Sequence, residues 1–260
     1  MSFIISTQAE LLKTKRTASF WLSVIGASFI PIILFIALLQ EGNPDGAAKG
    51  ISQSPWIIFF RMGWQVLSVF LLPMYIILVS TLITQIEYKN NAWKQVFASP
   101  QSLGTIFFSK FVTIHFMIVF CFLLFNFFMI VSALFANVVN PKHGFLDHSI
   151  DWQYLLRLNG RIYLSILGIS AIQYWLSLRF KSFIAPVGIG LALLIGSVIA
   201  IINQWKHVYK IPYAFPSLTF DALQKPGRPL LENHEWNSVA YFAIFILIGF
   251  LDLKLRKEKG

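Results

Sequence analysis

The chain has 260 residues, of which 57% are apolar and only 12% charged, with 26 Phe and a formal net charge of +10. Soluble domains carry about twice that charged fraction, so the composition excludes an ordinary soluble domain and points to an all-α, polytopic membrane protein. The Lys and Arg residues are spread along the chain and form no separate basic domain, which favours a role in membrane orientation over a nucleic-acid partner.

Residues 1–19 read as an amphipathic helix. Ile4, Ile5, Ala9, Leu11 and Leu12 share one face, and Ser6, Glu10, Lys13 and Thr14 the opposite one, the pattern of an interfacial helix lying flat and feeding the first span. The alternative is a signal-peptide n-region with Gly46-Ala47-Ala48 as cleavage site, but the apolar run that follows exceeds the ~7–15 residues of an h-region. On this reading Leu12→Glu should impair assembly more than Lys13→Glu.

The first span is expected over 20–39, where twenty residues at ~1.5 Å each reach the ~30 Å hydrocarbon thickness. Pro31 lies in its middle and predicts a kink. A Gly-, Pro- and Ser-containing loop with EGNPDG separates it from a second span over 64–85, which includes Pro73. The next apolar run extends from Ile106 to about Val139. It is too long for a perpendicular crossing and is read as a tilted third span over 106–136, with Lys110 snorkelling near its start. Further spans are expected at 161–178, 183–205 and 237–253, with 206–236 as the longest polar loop. The whole chain then forms a single transmembrane domain, for no segment outside the spans is long enough to build its own core.

Orientation follows from the basic residues. With both termini inside, twelve of the 21 Lys and Arg fall in short inner segments, against four of the eleven acids. The short-loop bias therefore favours six spans with N-in, C-in topology. Trp21, Trp64, Trp175, Trp205 and Trp236 lie at or near expected span ends, where an aromatic belt belongs.

Motifs that carry chemistry are few. There is no GxxxxGK[ST], HExxH, CxxC or GxSxG pattern, so no catalytic, cofactor-binding or metal residue is indicated. His143 and His148 flank Asp147 in a way that can be drawn as a metal site, though a solvated loop accounts for them without Cys or helical i, i+4 spacing. Cys121 is the only cysteine, so no intrachain disulfide forms. The span interiors hold no Asp or Glu, which argues against ion-coupled transport. Gln65, Asn126, Gln173 and Asn203 are expected to be interhelical hydrogen-bond partners.

The most informative stretch is 86–110, IEYKNNAWKQVFASPQSLGTIFFSK. As a helix over 87–98 it gathers Tyr88, Ala92, Trp93, Val96 and Phe97 on one half of the wheel. Asn90, Asn91, Lys94 and Gln95 fall on the other. Ser99-Pro100 then predicts a fresh helix start, Ser at the N-cap and Pro at the first helical position. An ordinary basic inner loop gives the same charge pattern.

This stretch, the N-terminal AELLKTKRTASFW and the late KIPYAFP together resemble the permease subunits of ABC type-2 exporters, in particular the small permeases of bacitracin-type and lantibiotic-immunity exporters. The resemblance implies a permease dimer, as homodimer or with a paralogue, in the cytoplasmic membrane. It implies two cytoplasmic ABC ATPase subunits that carry the ATP and magnesium, so that this chain is not itself an enzyme. It also implies a coupling helix after Glu87, with Glu87, Tyr88, Lys89, Asn90, Trp93, Lys94 and Phe97 as the ATPase-facing set. The cargo implied is a hydrophobic or amphipathic peptide, lipid or drug; the substrate-binding residues are not indicated. A membrane scaffold, sensor or immunity subunit that binds an ATPase without moving cargo is the alternative. A lipid-acting enzyme would need convergent His, Asp or Glu at one interface, which the sequence does not offer.

Overall fold

The computed structural model describes residues 3–40, 54–89, 93, 101–225 and 229–257. Among them there is no strand, and six helices are long and apolar enough to cross a membrane. The chain runs through α1 (Phe3–Thr14), α2 (Ala18–Gln40), α3 (Pro55–Lys89), α4 (Leu103–Val139), α5 (Trp152–Arg179), α6 (Ile184–Ile202), the short α7 (Phe215–Leu223) and α8 (Asn233–Lys257). The helix α1 is stopped by Arg16, whose left-handed backbone (φ 61°) turns the chain into the first span.

Of the helices that begin earlier than the apolar runs suggest, three do so for a clear local reason. Ser54-Pro55 starts α3 with Pro at the first helical position. Trp56, Phe59, Phe60, Gly63 and Trp64 then form a buried stripe at helical spacing, so the second crossing starts well before Trp64. Asp151 caps α5 by accepting from the Tyr154 backbone N–H at 2.9 Å, which places the helix start at Trp152 and not at Arg161. Ser102 caps α4 by accepting from the Thr105 N–H at 3.1 Å. The N-cap of the third span is therefore Ser102; Ser99-Pro100 lies outside the described residues.

The helix α3 carries a π-helical turn at Leu67–Leu71, just ahead of Pro73. Proline has no N–H and its ring crowds the carbonyl four residues back, so the helix must re-register there. Pro31, by contrast, sits inside α2 without interrupting it. At 37 residues, α4 extends ~55 Å at ~1.5 Å per residue, well beyond the hydrocarbon.

The packing centres on α4 and α5. The helix α2 packs chiefly on α4 and buries Ser19, Ser23, Ala27 and Ile30, three of them small enough to allow close approach. The most extensive helix pair is α5 with α8. There Gly168 sits tightly: a Cβ would lie 3.1 Å from the Tyr241 Cβ and 3.3 Å from the Ser238 carbonyl oxygen, so α8 would have to give by a few tenths of an ångström. The stretch expected as a long polar loop, 206–236, instead folds back into the bundle. Tyr213, Ala214, Phe215 and Phe220 are buried, and α7 packs on α5.

Candidate functional site

Ser6, Glu10 and Thr14 recur every fourth residue, on one face of α1. That polar face is the one turned onto α4. Ser6 Oγ donates to Gln101 Oε1 at 3.1 Å, and Thr14 is buried with its Oγ1 4.0 Å from Met117 Sδ. Phe3, Ile4, Ile5 and Leu12 remain exposed. The expected amphipathic helix thus exists, with its polar side facing protein and its apolar side outward, where bilayer is the favourable solvent.

The reason for the inversion is a buried ion cluster. Lys110 Nζ lies 2.7 Å from Glu87 Oε1 and 2.6 Å from Glu10 Oε2. Lys13 Nζ lies 2.6 Å from Glu10 Oε1 and 3.2 Å from Glu87 Oε1. Two lysines face two carboxylates, so the cluster is neutral as a whole. Lys110 is 1% exposed and does not snorkel as the sequence led us to expect; its charge is met inside the protein. Glu87 Oε2 is buried and takes no hydrogen bond from the described residues. Burial by itself raises the Glu10 carboxyl, but Lys110 and Lys13 together outweigh it and hold the group below its ordinary value. Burial likewise draws Lys13 down, and Glu10 and Glu87 more than offset it, leaving the amine raised.

The cluster reverses the order expected from the amphipathic pattern alone. Lys13→Glu would crowd three carboxylates around Lys110, whereas Leu12→Glu adds a charge on an exposed face. We expect Lys13→Glu to give the larger loss of monodisperse protein on size-exclusion chromatography in mild detergent. A greater loss with Leu12→Glu would contradict the cluster's role.

The C-terminal end of α3 is also held on its other side. Tyr88 Oη donates to the Leu178 carbonyl at 2.8 Å, and Gln85 Nε2 to the Phe180 carbonyl at 3.3 Å. The acceptors are the last turn of α5 and the residue that caps it. One short stretch, 85–88, therefore ties α3 to α1, α4 and α5 together. Arg179 joins α5 to α8 through Asp252 at 2.6 Å. Trp93, half-buried, lays its indole against Tyr88 with ring centroids 5.3 Å apart.

Of the residues singled out in the sequence, Glu87 is buried in the ion cluster, Tyr88 is bonded to α5, Lys89 is exposed and Trp93 is half-buried. Asn90, Lys94 and Phe97 lie outside the described residues. Sequence reasoning missed Glu10 and Lys13 as partners of Glu87. The available signal was the recurrence of Ser6, Glu10 and Thr14, with Glu10 and Glu87 as rare acids in a basic region.

Of the four amides, Gln173 and Asn126 do join helices. Gln173 Nε2 donates to the Pro186 carbonyl at 2.8 Å and its Oε1 accepts from Tyr213 Oη at 3.0 Å. Asn126 donates to Asn159 Oδ1 at 2.8 Å. Asn203 instead bonds the Ile199 carbonyl of its own helix. Near the opposite end, Arg161 grips Glu235 through both oxygens at 2.8 and 2.7 Å. His148 Nδ1 lies 3.0 Å from the Gly144 carbonyl oxygen. Among the described residues no group of three His, Cys, Asp or Glu side chains converges as a metal site would require.

A family model described as ABC-2 family transporter protein matches residues 6–197. The chain belongs to this ABC-2 transporter family. It is a permease subunit of an ABC transporter, a multi-pass membrane protein. No curated protein and no solved structure matches. The stretch matched in the permease includes all four members of the ion cluster and stops before Tyr213 and Glu235. Membership implies association with the membrane and with an ABC ATPase.

Proposed function

We propose that this permease moves a hydrophobic or amphipathic substrate out of the cell, driven by separate cytoplasmic ATPase subunits that hold the ATP and magnesium. One observation carries the reading: the inner end of α3 is fastened to α1, α4 and α5 immediately before the segment 90–100. A push delivered to that segment by a closing ATPase would be shared at once among four helices, since packed elements move as rigid bodies. The exposed Lys89 and the half-buried Trp93 are the described members of the ATPase-facing set, with Asn90, Lys94 and Phe97 as its continuation. Glu87 and Tyr88 serve that surface from behind, by holding its root. A second permease completes the pathway. It is best received along α6, where Gly188, Ala192 and Gly196 form an exposed edge of small residues and a Cβ at either glycine meets nothing within 4 Å.

The reading requires both termini and the segment 90–100 to be cytoplasmic, in the inner membrane. In a Cys121→Ser background, single cysteines at Asn91 and Lys257 should react with an impermeant maleimide only after the cytoplasmic side is opened. Cysteines at His148 and Lys225 should react in intact cells. Labelling of Asn91→Cys from outside would overturn the topology and the coupling role together.

A further inference from the structure

The helix α2 packs on α4 and reaches α3 through the Ser23–Tyr75 hydrogen bond, but α2 and α3 do not close fully around it. A groove of about 240 Å³ lies between them, lined by Leu22, Gly26, Leu71, Met74, Tyr75 and Leu78, with Cys121 also on its wall. Two independent features make it. The π-helical turn at Leu67–Leu71 bulges α3 where the groove begins, and such turns recur at functional positions. On the facing helix, Gly26 leaves the wall bare: a Cβ there would meet nothing within 4 Å.

The chemistry of the groove narrows its occupant. Tyr75, the one polar side chain named here, has its hydroxyl engaged with Ser23 at 2.7 Å and with the Met117 carbonyl at 2.9 Å. A water molecule needs ~2–4 polar partners and would find none free. A second helix, ~10 Å across, is too wide for the space. The exposed Ile25 and Phe29 are also large where helix contacts in lipid favour small residues. An apolar cavity of ~150 Å³ already takes up a benzene ring, so this groove has room for a length of hydrocarbon. Gly26 is eight residues into α2, ~12 Å along its axis, at hydrocarbon depth. We infer that the groove holds one acyl chain of a bilayer phospholipid, seated against the π-helical turn as a specific site.

The inference needs only the membrane embedding of the permease, so its test stands apart from the export reading. The intact chain would be placed in nanodiscs of phosphatidylglycerol and phosphatidylethanolamine, with a trace of phospholipid bearing a mid-chain diazirine. After irradiation, labelled peptides are mapped by mass spectrometry. The stretch 67–78 should be labelled well above the lipid-exposed stretch around Leu247 on α8. Gly26→Phe fills the groove with its own ring, in open space. It should lower labelling of 67–78 roughly tenfold, the loss matching ~1.4 kcal/mol of binding, and leave α8 labelling unchanged. Gly26→Leu, a smaller filler, should give a partial loss and serves if the Phe variant does not fold. Equal labelling of α3 and α8, or labelling of α3 indifferent to both substitutions, would mean annular contact only and overturn the site. Capture of a second permease copy by 67–78 in place of lipid would overturn it as well.

Discussion

Lys110→Met should be among the most damaging single substitutions in the permease. It leaves Glu10 and Glu87, both bonded to Lys110 at 2.6 and 2.7 Å, with Lys13 as their remaining cation among the described residues. Removing one partner of a buried pair costs ~3–5 kcal/mol, and here two carboxylates are left to share Lys13, with one negative charge in excess. Both the Lys110 and Glu87 side chains are 2% exposed, so solvent offers little relief. The expected result is a large fall in thermal stability in detergent and detachment of α1, read as protease cleavage near Lys15. Lys110→Met combined with Glu87→Gln should recover part of the loss, since it removes the orphaned charge. Arg179→Met is the control. That pair with Asp252 is half-exposed on its Arg side, and such pairs contribute only ~0–1 kcal/mol. The pH dependence has a definite sign. Because the Glu10 carboxyl is lowered in the folded state, its contribution is present above the ordinary value of 4.5. It is lost as the pH falls from there through the folded value. Lys13 is raised, so its contribution is present below the ordinary 10.5 and is lost only as the pH rises past that into the folded range.

Trp93→Ala should separate assembly from coupling. The indole packs on Tyr88 at the end of α3 and lies at the root of the proposed ATPase surface. Aromatic anchors at interface centres are typically worth ~2 kcal/mol or more, about a thirtyfold loss of affinity. The variant should reach the membrane in normal amount yet retain far less ATPase on affinity purification. Ala92→Pro should have a comparable effect if the segment is helical, since proline in a helix interior costs ~3 kcal/mol or more. Trp152→Ala, an exposed residue at the start of α5, should leave the ATPase bound.

The six crossings were legible because long apolar runs have few other solutions, and the resemblance in 86–110 pointed to the family that the chain belongs to. Helix starts were less legible. Pro55 and Asp151 begin their helices inside stretches polar enough to look like loops, and only the cap geometry and the Trp56, Phe59 and Phe60 stripe mark them. The fold-back of 206–236 was hidden for the same reason: its Lys, Pro and Asp residues break up any long apolar run, while Tyr213, Phe215 and Phe220 carry its burial. The ion cluster was half visible. Glu87 and Lys110 stood out in sequence, but Glu10 looked like the wet side of an interfacial helix. Periodicity shows that Ser6, Glu10 and Thr14 share a face; it does not show whether water or another helix lies opposite.

The most direct test of the coupling role is a contact measurement. In the Cys121→Ser background, Lys89→Cys places a thiol on an exposed position at the last residue of α3. Membranes containing this variant and a co-expressed ABC ATPase would be treated with a short bifunctional maleimide. The account predicts a permease–ATPase adduct from Lys89→Cys and none from His148→Cys, with the adduct reduced by Trp93→Ala. An ATPase that binds the permease but never cross-links at Lys89, or that cross-links equally at His148, would contradict it.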